Sequence, residues 1–144
     1  MVRTLFLNRQ RAAKAAPDVM AANQALLAPL QAAITGVRAA GGDSDEELLA
    51  VALAAAQAWS SGQVPDTELA DVAIVEAALY PAYTGGPFTY LSQMDSETLR
   101  ARAAQSREKL PSAFQLPEGI EALCRDGQRS AASARPQAKQ RLTA

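Results

Sequence analysis

Histidine is absent from this chain. With it go the commonest general base and the commonest transition-metal ligand. A His-dependent nucleophilic triad, a His-ligated zinc site and a His-based hydride transfer are therefore excluded within these 144 residues. Cysteine is nearly absent. Cys124 stands alone, so no internal disulfide can form, which agrees with a reducing compartment and points to the cytoplasm. Flanked by Arg125 and Asp126 and lacking a His partner, it is not expected to be a catalytic thiol. Long apolar runs are missing too. The longest, Leu48 to Ala56, has nine residues, against the roughly 20 that a membrane-spanning helix needs. The apolar patch within Met1 to Arg9 is too short for a signal peptide. Neither G-x-G-x-x-G nor G-x-x-x-x-G-K-[ST] occurs, so a phosphate-cradling nucleotide site is not expected, and the sequence names no cofactor.

Net charge is −1, but it is unevenly spread. Residues 1–16 carry Arg3, Arg9, Arg11 and Lys14 and no acid. Residues 125–144 carry five basic residues against Asp126. The stretch between them holds fourteen acids and five bases. Basic arms suit nucleic acid or an anionic membrane surface. Each arm here is short and neither interleaves bases with aromatics, so a solvated helix face at one end and a disordered tail at the other is the plainer reading.

The apolar spacing is helical throughout, with no strand pattern. A basic helix or linker covers 1–16 and stops at Pro17. Asp18 is placed to cap a second helix to about Ala40, with Leu27, Leu30, Ile34 and Val37 on one face. Pro29 inside it implies a kink or a restart, and Gly41-Gly42 a stop. Ser44 and Glu47 read as a capping box opening a helix to about Ser61, with a buried stripe of Leu48, Ala52, Ala55 and Trp59. Asp66 caps a helix through about Leu79, faced by Leu69, Val72, Val75 and Leu79. Asp66, Glu68 and Asp71 gather near its start; paired carboxylates can hold a hard cation, but acids at the positive helix end are the simpler account. Asp95 or Ser96 caps a polar helix to about Lys109, Pro111 and Pro117 bracket a loop, and Pro117-Glu118-Gly119 is placed to open one last short helix through Leu123. The expectation is an all-α, compact bundle of five to six helices over 17–124, followed by a disordered basic tail at 125–144.

What the chain does have is concentrated in one place. Tyr80-Pro81-Ala82-Tyr83-Thr84-Gly85-Gly86-Pro87-Phe88-Thr89-Tyr90-Leu91 contains all three tyrosines and a Gly-Gly pair between two prolines. The prolines restrict the backbone and the glycines permit left-handed or crowded geometry. Tyr80, Tyr83, Phe88 and Tyr90 supply large apolar bodies, three of them with polar tips. Two readings stand: a structural corner locking two helices, or a surface that docks another domain or subunit.

Val64-Pro65-Asp66, then Ala70-Asp71-Val72-Ala73, then the aromatic turn with Gly85-Gly86-Pro87-Phe88, resemble the C-terminal helical domain of 3-hydroxyacyl-CoA dehydrogenases. The likeness is to its second copy in the multifunctional β-oxidation enzymes, and it extends over roughly 44–123. Val2 to Gln10 resembles the helix that leaves the hydratase part of the same enzymes. The chain departs from the family at Ala78-Leu79-Tyr80-Pro81, where Gly-x-Pro-Pro is usual, and at Ser60-Ser61, where acids often stand. The family's catalytic His–Glu pair and NAD-binding glycines have no counterpart here. The resemblance therefore implies no catalytic residue, but a helical domain of fatty-acid metabolism that packs against a like chain or a dehydrogenase or hydratase subunit. A truncated remnant of such an enzyme is its other implication.

Overall fold

The computed structural model describes residues 7–11, 13, 14 and 17–127. These residues form helices joined by turns and short irregular segments, with no strand among them. From Pro17 onward the α-helices are α1 (Pro17–Ala39), α2 (Ser44–Ser60), α3 (Thr67–Glu76), α4 (Pro87–Ser92) and α5 (Ser96–Ser106). Short 3₁₀ turns lie at Ala82–Thr84, Pro111–Ala113 and Ile120–Leu123. Residues 7–11 are also helical. Residues 13 and 14 form a turn, with Lys14 N–H donating to Arg11 O, and the rest of the expected N-terminal helix, with the tail beyond 127, lies outside the described residues.

α2 is the centre of the bundle. Leu49, Ala50, Val51, Ala52, Leu53, Ala55, Ala56 and Ala58 are all buried, so it is covered nearly all round rather than along the single stripe that the spacing predicts. Leu48 and Trp59, placed on that stripe, are only partly buried. Alanine makes this possible, because a methyl group lets neighbouring backbones approach from several sides at once. α1 and α4 pack on α2, as do the 3₁₀ turns at Pro111–Ala113 and Ile120–Leu123; α3 packs on α1 and α4. Phe114 fills the core beneath the loop between the two late prolines.

α1 begins at Pro17 itself, so Asp18 lies in the first turn and not at the cap. Proline suits that position, since its missing N–H would have had no helical partner. The helix continues unbroken through Pro29. Pro29 and Ala25, whose carbonyl loses its i+4 donor there, are both exposed, so water can take the vacant acceptor. The buried stripe is Leu26, Leu30, Ile34 and Val37, with Leu27 only partly buried.

α1, α2 and α3 end in the same way. Gly42 N–H donates to Val37 O and Gly41 N–H to Arg38 O. Gln63 N–H donates to Ala58 O and Gly62 N–H to Trp59 O. Leu79 N–H donates to Ile74 O and Ala78 N–H to Val75 O. This paired pattern needs a left-handed residue just past the helix. Gly41 (φ 78°) and Gly62 (φ 83°) supply it at no steric cost, whereas the third position is Ala78 at φ 61°. Ala78 explains why α3 stops at Glu76, three residues before the end that its apolar spacing predicts.

The capping box at the start of α2 sits one residue earlier than the sequence suggests. Asp43 Oδ1 accepts from Glu46 N–H at 2.9 Å, and Glu46 Oε1 accepts from Asp43 N–H at 3.2 Å. Asp66 caps α3 as expected, accepting from Glu68 and Leu69 N–H. At the far end the folded part runs past the boundary drawn at 125. Arg125 N–H donates to Met94 O, and its guanidinium pairs with Asp95. The Asp126 carboxylate accepts from Ser96 N–H and Ser96 Oγ, capping α5 in place of the Asp95 side chain. These donors hold the Asp126 carboxyl below its usual range.

Candidate functional site: the aromatic turn and its buried aspartate

The turn at 80–91 is built from its ends inward. Tyr80 is buried, and its hydroxyl donates to Leu48 O on α2 at 2.8 Å. Burial pushes its phenol far above the ordinary range, so it stays a donor. Its ring meets Tyr90 edge to face, with centroids 5.8 Å apart and planes at 71°. Tyr90 in turn accepts from Arg102 Nη1 on α5 at 3.3 Å, so the pair ties α2, α4 and α5 together. Burial raises the Tyr90 phenol as well.

Between these anchors the backbone reverses twice. Pro81 is extended (φ −65°, ψ 136°) and leads into the 3₁₀ turn Ala82–Thr84. Thr84 Oγ1 donates to Pro81 O at 2.7 Å and accepts from Gly86 N–H at 3.1 Å. Gly85 (φ 84°) and Gly86 (φ 110°) occupy the left-handed region that the sequence reserves for them. Pro87 then opens α4, where its fixed φ and missing N–H suit the first position. Pro87 and Phe88 are buried.

The residue that completes the turn is Asp71, in the middle of α3. Only 4% exposed, its carboxylate accepts from Phe88 N–H at 2.8 Å, Thr89 N–H at 3.1 Å and Thr89 Oγ1 at 2.7 Å. It is a cap supplied from another helix to the start of α4. Gly86 makes this approach possible: a Cβ there would sit 2.5 Å from Asp71 Cβ and Cγ. Burial pushes the Asp71 carboxyl up to about 7, against the pull of its three donors. Grouping Asp71 with Asp66 and Glu68 as helix-start acids is thus corrected. Asp66 caps α3, Glu68 pairs with Arg11 in the solvent, and Asp71 faces the core. The signal for Asp71 was an acid inside the apolar run Leu69 to Val75. Among the described residues no cluster of His, Cys, Asp and Glu could hold a metal ion.

Of the predicted turn residues, Tyr80, Gly85, Gly86, Pro87 and Phe88 are buried, and Pro81 and Tyr90 are intermediate. Tyr83 is the exception, at 72% exposed. It stands beside a groove of 610 Å³ whose walls include Leu48, Leu79, Pro81 and Ala82. Comparison with family models, curated proteins and solved structures finds no match to this chain. No described helix is long and apolar enough to cross a membrane.

The described basic side chains of the two arms are largely paired within the chain. Arg9 meets Glu76 at 2.6 Å, Arg11 meets Asp66 and Glu68, and Arg125 meets Asp95. The acids of α3 thus compensate the N-terminal arm. Cys124 is buried, and burial pushes its thiol up to about 11, away from nucleophilic use.

Proposed function

We propose that this chain is a non-catalytic docking domain of the 3-hydroxyacyl-CoA dehydrogenase lineage, and that the face around Tyr83 receives a second copy of itself. The observation that carries the docking reading is Tyr83. A large ring 72% exposed, on a corner fixed by Tyr80, Thr84 and Asp71, beside a groove with mostly apolar walls and a polar edge of Arg38, Ser44 and Glu47, offers the rigid amphipathic anchor that interfaces favour. Each copy then offers the Tyr83 ring and the groove that it borders, a pairing that a two-fold interface uses twice.

Two features support the lineage. The Ala70-Asp71 pair and the Gly85-Gly86-Pro87-Phe88 turn, which carry the resemblance from separate stretches of sequence, meet through the Asp71 carboxylate and the backbone of Gly86, Phe88 and Thr89. Ala78, standing where the family pattern has glycine, adopts the left-handed conformation that glycine serves. The intramolecular pairing of Arg9, Arg11 and Arg125 weighs against a basic-arm role in binding nucleic acid or membranes.

Sedimentation equilibrium of the full chain from 1 µM to several hundred µM tests the reading, with Tyr83→Ser beside it. A concentration-dependent dimer that Tyr83→Ser abolishes is the expected result. A monomer across that range, or a dimer indifferent to Tyr83, would sink it.

A further inference from the structure

A polar notch of 320 Å³ lies between the start of α2 and the end of α5, and all its walls belong to described residues. Four carboxylates line it, from Asp43, Asp45, Glu46 and Glu108, against two bases, Arg102 and Lys109. Both bases are engaged. Lys109 Nζ meets Glu46 Oε1 at 3.0 Å, and that hydrogen bond holds the Glu46 carboxyl below its usual range. Arg102 donates to the Tyr90 hydroxyl. The side chains of Asp45 and Glu108 have no hydrogen-bond or ion-pair partner among the described residues. Asp43 and Asp45 have an ordinary account, since acids favour the positive end of α2. Glu108 does not. It stands just past the C-terminal end of α5, where the helix dipole disfavours an anion.

A second observation is independent of the charges. Ser106, in the wall of the notch, is 8% exposed, and its hydroxyl makes no hydrogen bond among the described residues. A helical serine commonly bonds the carbonyl four residues back, but Ser106 leaves Arg102 O alone. Its oxygen is not sealed. Among the described residues only Asn23 Oδ1 is both unpartnered and fully shut away from solvent. Buried hydroxyls in folded proteins nearly always find a partner, so this one, facing an opening, calls for one from outside.

We propose that this notch binds a short alkyl diammonium, whose N–H groups donate to Ser106 Oγ and to the carboxylates of Asp45 and Glu108. Water can meet the hydroxyl, but it leaves the carboxylates unneutralised; an ammonium does both. The described acids form no group that could hold a metal ion, so the ligand brings its own donors. Two ammonium groups match the excess of two carboxylates over bases in the lining. Leu49 in the wall gives the methylenes an apolar contact. The volume is at the small end of the roughly 300–1,000 Å³ of ligand sites, which suits a chain of a few carbons.

The experiment is an amide-shift titration of the ¹⁵N-labelled full chain at constant ionic strength. The probes are 1,4-diaminobutane and tetramethylammonium, which carries positive charge without N–H donors. Saturable shifts centred on Asp45, Leu49, Ser106 and Glu108 are expected with the diamine and none with tetramethylammonium. Ser106→Ala should weaken diamine binding about fivefold. It should not lower the melting temperature, because the hydroxyl bonds nothing in the folded chain. Asp45→Asn with Glu108→Gln should weaken binding more than about tenfold. Absence of saturable shifts, equal response to tetramethylammonium, or undiminished affinity in Ser106→Ala would overturn the proposal. So would nuclear Overhauser contacts from residues 128–144 to Ser106 in the free protein, which would show the notch filled by the chain's own basic tail.

Discussion

Phe88 donates its backbone N–H to the carboxylate of Asp71, seventeen residues earlier, at 2.8 Å in the protein interior. One acid in α3 thereby fixes where α4 starts. Asp71→Ala would leave two backbone donors and a hydroxyl unpaired beside a small cavity. We expect a loss of about 2–4 kcal/mol, with Asp71→Asn losing less because one acceptor remains. Urea unfolding followed by the fluorescence of Trp59 measures both, and a loss below about 1 kcal/mol for Asp71→Ala would contradict this role.

The same carboxyl makes stability depend on pH. Burial holds its proton more tightly in the folded chain, with the carboxyl pushed up to about 7, against about 4 unfolded. Folding therefore takes up protons between these values. The contribution of Asp71 is fully present below about pH 4 and is lost as pH rises through about 7, to an extent of about 2–4 kcal/mol. The Asp126 carboxyl is shifted downward and works in the opposite sense at lower pH. The difference between wild type and Asp71→Asn isolates the term. That difference should favour wild type most at pH 4 and shrink towards pH 8; a flat difference would refute it.

Gly86→Ala should be far worse than Gly62→Ala. Both glycines have positive φ, so both substitutions incur a left-handed cost of about 1–2 kcal/mol. A Cβ at Gly62 meets open space, while one at Gly86 lies 2.5 Å from Asp71. We expect Gly86→Ala to cost at least about 2 kcal/mol more, read from the same urea curves. Equal losses would mean that the contact with Asp71 relaxes freely.

Ala78→Gly runs the other way. Ala78 is exposed, and its φ of 61° strains an L-residue with a side chain. Glycine relieves that strain and gives back part of it as unfolded-chain entropy. A net gain of about 0.5–1 kcal/mol is expected at this one position. A loss of stability would show that the Ala78 methyl packs usefully.

Tyr80→Phe removes the hydroxyl that reaches Leu48 O and leaves the ring pair with Tyr90 intact. The expected cost is about 1 kcal/mol. Arg11→Ala, which breaks exposed pairs only, should stay within about 0.5 kcal/mol, and less at high salt. Reversing the order of these two losses in chemical denaturation would overturn the assignment of the turn as the stronger clasp.

Much of this architecture was legible because local chemistry and tertiary contacts agree. The glycines at 41 and 62 and the cap at Asp66 are each set by one residue and its immediate neighbours, whereas α4, capped from Asp71, falls inside the stretch that the sequence reads as a turn. The failures have a common cause. The periodicity of α2 predicts one stripe, but alanine methyls do not announce how many neighbours surround them. Asp71 follows the rule for acids in early helical turns and also serves a helix that sequence alone does not bring near. The boundary at 125 ignored that Asp126 caps α5 from thirty residues away.

The nearly complete covering of α2 has a further consequence. The backbone amides of α2 beyond its first turn are bonded within the helix and shielded by α1, α4 and the late 3₁₀ turns. No local fraying reaches them without dismantling the bundle, so their deuterium uptake follows global unfolding. The peptide spanning Leu49 to Ala58 is accordingly the slowest clock in the molecule. By comparison, α5, attached through a few side chains and the Asp126 cap, should exchange long before it.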